Sequence, residues 1–169
     1  MRIHHHLPLA LLSALLLALT ACVPTPNPVS LSQQSTDQIE AYLVRNIGIS
    51  GFGGEVFCPF DVLGQDSGGT KLYVWTLCAE YQLVGNELEM GTASSLPVSL
   101  TIERQGESLQ VTGHQTPPEG WSAGALEKIF PAAIIERFCM QAPDCYNERA
   151  ARLQQQAEQA ARDFYQINP

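Results

Sequence analysis

Cysteines and one histidine are the residues of this chain best suited to chemistry, and their spacing limits what that chemistry can be. Beyond Cys22 there are four cysteines: Cys58 and Cys78 on either side of a turn-forming run, and Cys139 and Cys145 close together near the end of the chain. Tetrahedral zinc asks for cysteines two to four residues apart or for nearby histidines. Neither pair has that spacing, and His114 is the only histidine after Cys22, so no metal is expected. Cys-x-x-Cys, the usual redox-catalytic pattern, is missing. Four cysteines in an exported chain suggest two disulfides, with three possible connectivities. Cys58–Cys78 and Cys139–Cys145 are favoured, and by the chain-entropy argument each contributes roughly 3 kcal/mol.

His114 is also the only base available to a serine hydrolase, with Ser94 or Ser95 as nucleophile. Neither serine sits in a Gly-x-Ser-x-Gly elbow. Asp61 and Glu80 are charges inside otherwise apolar runs, and Asp61 conflicts most with its neighbours Phe60 and Val62. Tyr73, Trp75 and Tyr81 could line a groove, although core is their default role. With His114, these five make the set of candidate ligand-facing residues. The run 48–54, Gly-Ile-Ser-Gly-Phe-Gly-Gly, looks like a phosphate loop. Phosphate binding needs a strand before the glycines and a helix after them. The order here is reversed, so a turn or a bulged strand entry is expected and no cofactor is implied.

The element that must position these residues is the stretch 55–84, read as a β-hairpin. Its arms are rich in aromatic and β-branched residues, and 65–70 supplies turn formers. A turn centred on Gly68 sets Cys58 opposite Cys78, Phe60 opposite Thr76 and Val62 opposite Val74. Asp61 and Glu80 then fall on opposite faces, and both faces are apolar enough to need cover. Before the hairpin, Ile39, Tyr42, Leu43 and Ile47 form a helical stripe opened by an Asp37/Glu40 capping box. After it, a second hairpin is expected, with Leu109 and Val111 opposite Ile102 and Leu100. Gly91 reads as a break or bulge, and Pro97 as tolerable only at an edge. Ser122 should cap a helical segment over about 122–165, divided at Pro131, and Asp144 should cap its last helix.

At the start of the chain, residues 7–19 are an apolar run too short to span a bilayer comfortably. It ends in Leu19-Thr20-Ala21-Cys22. This resembles the bacterial lipobox, which implies a signal peptide over 1–21, cleavage before Cys22 and lipidation of that residue. His4, His5 and His6 fall in the removed piece. Residues 22–36 hold three prolines among Ser, Thr and Gln and read as a tether. The net charge is −8, and no basic cluster suits nucleic acid or an anionic membrane surface.

The strings VFCPFDVLG, LYVWTLCAEY and SSLPVSL resemble uncharacterised exported bacterial proteins, many of them apparent lipoproteins. The resemblance spans about 55–114 and carries no function, but it favours pairing the two strand cysteines. The fold expected over 37–169 is one α+β domain: an N-terminal helix, about four antiparallel strands and C-terminal helices. The order of elements is similar to cystatin-like or NTF2-like architecture, by analogy only. The expected function is that of a cell-envelope lipoprotein facing the periplasm or exterior. It would be held to the membrane through lipid on Cys22 and bind a protein, a peptide or a small ligand without catalysis. The alternative is an envelope hydrolase using His114.

Overall fold

The hairpin that carries Cys58 and Cys78 is the spine of the molecule. A computed structural model describes residues 29–106 and 108–167. The expected signal segment, Cys22 and the first part of the expected tether lie outside these residues.

Five strands form one curled antiparallel sheet. They are β1 Glu55–Phe57, β2 Phe60–Gln65, β3 Lys71–Val84, β4 Glu87–Gln105 and β5 Ser108–Gln115. β1 and β2 together line one side of β3, interrupted at Cys58-Pro59; β4 lies on the other side of β3, and β5 beyond it. The expected register holds: Phe57 pairs with Ala79, Phe60 with Thr76 and Val62 with Val74. Past Val62 a bulge at Leu63 sets Gly64, not Leu63, opposite Tyr73. Cys58 and Cys78, opposite each other, are disulfide-bonded, and so are Cys139 and Cys145.

The second hairpin differs from expectation by two residues. Ile102 pairs with Val111 and Arg104 with Leu109, because the turn closes at Gln105–Ser108 and a bulge follows at Thr101/Ile102. Between the turn and the bulge a shift of two keeps each side chain on its face; past the bulge Leu100 meets His114, three places beyond the expected Val111. Pro97 pairs with Trp75 on a stretch of β4 that β5 does not reach. The Leu77 N–H donates to Pro59 O, so odd-numbered residues of β3 point toward β2. Their β4 partners, Pro97 and Ser95 among them, therefore point away from β3, and no ladder bond is lost at the proline.

Both faces of the sheet are covered. Ile39 and Leu43 of α1, Gln33–Asn46, pack on Leu72, Val74, Val98 and Leu100. The opposite face, with Tyr73 and Trp75, is covered by the C-terminal helices and the turn between the first two, through Leu126, Phe130, Phe138 and Leu153. These helices are α2 Ala123–Leu126, α3 Ala132–Ile135 with a 3-10 turn after it, and α4 Pro143–Phe164.

Two expected helix starts are corrected. α1 starts at Gln33, so the last residues of the expected tether are helical. Ser32, not Asp37, is the N-cap: its Oγ accepts from the Ser35 N–H at 3.2 Å. Burial of Ser35 and packing of Val29 and Leu31 on the core draw the helix start one turn earlier. Asp144 lies inside the first turn of α4, behind Pro143, and Ala142 occupies the cap position. Ser122 stands at the α2 cap without a side-chain bond.

Candidate functional site

Glu80 is wholly buried at the point where β4 bulges opposite β3. Its carboxylate accepts backbone N–H bonds from Gly51, Phe52 and Gly54 at 2.8–2.9 Å, and side-chain bonds from Ser50 and Thr92. The glycine-rich run after α1 is thus an anion nest, and the anion is the protein's own carboxylate. The Gly51 N–H, joined by those of Gly54 and Phe52 and by Thr92, holds the Glu80 carboxyl far below the usual carboxylate range, against the opposing effect of burial. Two glycines permit the approach. A Cβ on Gly54 would lie 2.2 Å from the Tyr81 carbonyl oxygen, and one on Gly91 would lie 2.9 Å from Glu80 Oε2. Glu80 is a lock between loop and sheet, its carboxylate taken up by donors of the chain itself.

Asp61 sits on the other face, as the register required. Its carboxylate pairs with Arg152 and with Arg149, whose Nε is 3.3 Å away without hydrogen-bond geometry. Arg149 is nearly buried. It donates to the carbonyls of Arg137 at 2.7 Å and Phe138 at 3.2 Å, and its guanidinium lies 5.3 Å from the Trp75 ring centroid. The conflict at Asp61 is thereby resolved by a cation on the last helix. Trp75 is clamped as well: Phe138 and Tyr146 meet it edge-on at 5.4 and 5.9 Å, and its Nε1 donates to Ser95 Oγ at 2.9 Å.

Tyr73 and Tyr81 are buried, and burial raises the pKa of both phenols. Tyr73 packs on Phe130, while the Tyr81 carbonyl accepts from Tyr165 Oη at 2.9 Å. His114 is half-buried on β5, its Nδ1 3.0 Å from Tyr42 Oη. It pairs with Leu100, six residues along β4 from Ser94, or about 20 Å of strand. Ser95 is engaged by Trp75. The histidine and the serines are not brought together, and Asp61 and Glu80 remain on opposite sides of the sheet. Among the described residues no cluster of three His, Cys, Asp or Glu side chains could hold a metal ion.

What the fold does gather is an aromatic groove of about 370 Å³. Trp75 and Ser95 form its floor, with Trp121, Met140, Pro143, Tyr146 and Asn147 around it. Met140 is 49% exposed and Tyr146 40%, both high for large apolar side chains. The groove opens beside Ser95, where, among the described residues, no strand pairs with the edge of β4 turned away from β3. A larger cleft, about 690 Å³, lies between the 64–67 turn and Ile134, but its one cationic head, Arg137 Nη1, is already bonded to the Leu63 carbonyl at 2.6 Å.

No family model, curated protein or solved structure matches this chain. The site therefore rests on its own geometry. Of the six candidate ligand-facing residues, only Trp75 reaches the groove. Trp121, Met140 and Asn147 were not singled out from the sequence. They come from three separate segments, and only the packing of α4 across β3 joins them. Arg149 did carry a signal, a cation one turn before Leu153 on an apolar stripe.

Proposed function

We propose that this chain is an exported, lipid-anchored envelope protein whose domain binds an extended apolar peptide segment in the aromatic groove. The observation that carries this reading is the coincidence of a rigid aromatic floor with a free strand edge. A segment laid along β4 would take main-chain hydrogen bonds from the outward-pointing Ser95 and set alternate side chains against Trp121, Met140 and Tyr146. Main-chain pairing supplies affinity in this mode, and the pocket supplies preference for apolar or aromatic side chains. The Trp75 clamp means that the floor is in place before the ligand arrives, which lowers the ordering cost of binding. The two disulfides favour an oxidising compartment and fit the lipobox at Cys22.

The test has two arms. Metabolic labelling with radioactive palmitate should mark the native chain and not a Cys22→Ser form. Selection from a phage-displayed library of random peptides should yield apolar binders that lose at least about tenfold in affinity to Trp121→Ala or Tyr146→Ala. Binders indifferent to both substitutions would remove the groove from the account.

A further inference from the structure

The two disulfides differ in access. Cys58 and Cys78 are each 2% exposed, between the sheet and α1. Cys145 is exposed in the first turn of α4, and Cys139 is half-buried. The bridge closes a short ring, 139–145, that contains Met140 and Pro143, with Tyr146 next in the chain. These three are one wall of the aromatic groove. Arg149 Nη2 stands 3.8 Å from Cys139 Sγ. Cys139 itself holds the left-handed backbone conformation at φ 60°, unusual for a residue with a side chain.

We propose that Cys139–Cys145 is a thiol-exchange site and that its oxidation state sets the shape of the groove wall. An external thiolate, from a small thiol or a protein dithiol, attacks the exposed Cys145 Sγ. A bond forms between the two sulfurs, the Cys139–Cys145 bond breaks, and its electron pair leaves on Cys139 Sγ beside the Arg149 guanidinium. A good leaving thiolate speeds exchange, and a neighbouring cation makes it one. A second thiolate then attacks the external sulfur of the mixed disulfide, releasing an oxidised external disulfide and the Cys145 thiolate. Two external thiols are oxidised, and the protein bridge gains two electrons and two protons. With the bridge cut, nothing covalent fixes the αL turn at Cys139. Met140 and Pro143 are freed from their place in the groove wall. The consequence for ligand binding rests on the peptide-groove reading; the exchange chemistry does not.

The test treats the native protein with reduced glutathione, quenches samples with iodoacetamide and maps alkylated peptides by mass spectrometry, following tryptophan fluorescence in parallel. Cys139 and Cys145 should be alkylated at least about 100-fold faster than Cys58 and Cys78, which need the core to open. Tryptophan emission should shift in step with the first event. Retained protection of Cys58 and Cys78 reports that the domain is still folded. Arg149→Gln should slow exchange by roughly 3- to 10-fold, and Arg149→Lys should restore most of it. A purely structural role for Arg149 predicts the opposite sign, because loosening the ring would speed attack. Equal rates at the two bridges, faster exchange in Arg149→Gln, or unchanged emission after selective reduction would each overturn the proposal.

Discussion

Replacing Asp61 with alanine removes the only carboxylate that faces Arg149 in the described ion pairs. Removing one member of a buried pair usually costs about 3–5 kcal/mol. Two features reduce that here. Asp61 is 23% exposed, so water screens part of the interaction, and Arg149 keeps the carbonyls of Arg137 and Phe138. The expected loss is about 2 kcal/mol, a fall in Tm of about 4–8 °C for a domain of this size. Urea denaturation followed by tryptophan fluorescence should show a lower midpoint with an unchanged slope. In an Arg149→Leu background the same substitution should cost less than about 0.5 kcal/mol, which puts the coupling between the two residues near 1.5 kcal/mol. Arg152→Ala should cost no more than about 0.5 kcal/mol, because Arg152 is half exposed. If Asp61→Ala matched the parent in stability, the pairing argument would fail, and Asp61 would again be a carboxylate available to a ligand.

Other predictions follow from the nest and the core. Glu80 has a folded-state pKa depressed below its unfolded value, so its contribution to stability is full above about pH 4.3 and is lost as pH falls toward the folded value. Glu80→Gln should therefore flatten the acid limb of the stability–pH profile measured by thermal melts between neutral and strongly acid pH; an unchanged limb would contradict the nest. Gly54→Ala drives a methyl into the Tyr81 carbonyl and should lower stability by about 1–3 kcal/mol, with the amides of β1 losing hydrogen-exchange protection first. Leu43→Ala, at a wholly buried position between α1 and the sheet, should cost about 2–5 kcal/mol in urea. His114→Ala should cost about 1 kcal/mol through its bond to Tyr42 and leave peptide binding unchanged in a fluorescence titration.

The central hairpin was legible because its signals are local. One glycine-rich turn and the period of two placed Cys58 opposite Cys78, and both apolar faces announced cover on each side. The bulge at Leu63 and the two-residue shift against β5 were not legible, since bulges arise from how the sheet curls over its helices. The capping box at Asp37 had the right residue types, but burial of Ser35 and packing of Leu31 outweighed them. The glycine-rich run was read as a turn or a bulged strand entry, and its N–H groups close on a carboxylate. Its actual anion lies on β3, and the only sequence trace was a charge in an apolar strand. Asp61 gave the same kind of trace, and its partner lies on the last helix, beyond any local pattern. The groove was least legible of all. Trp75 was visible as a candidate, but Trp121, Met140 and Tyr146 meet it only through tertiary packing.

Intact-mass spectrometry of the protein purified from its native cells tests the central claim most directly. The account predicts a chain that starts at Cys22, carries a diacylglyceryl group there, and is four hydrogens lighter than the fully reduced chain because two bridges are closed. An unlipidated chain that still begins at Met1, with every thiol open to alkylation, would contradict it.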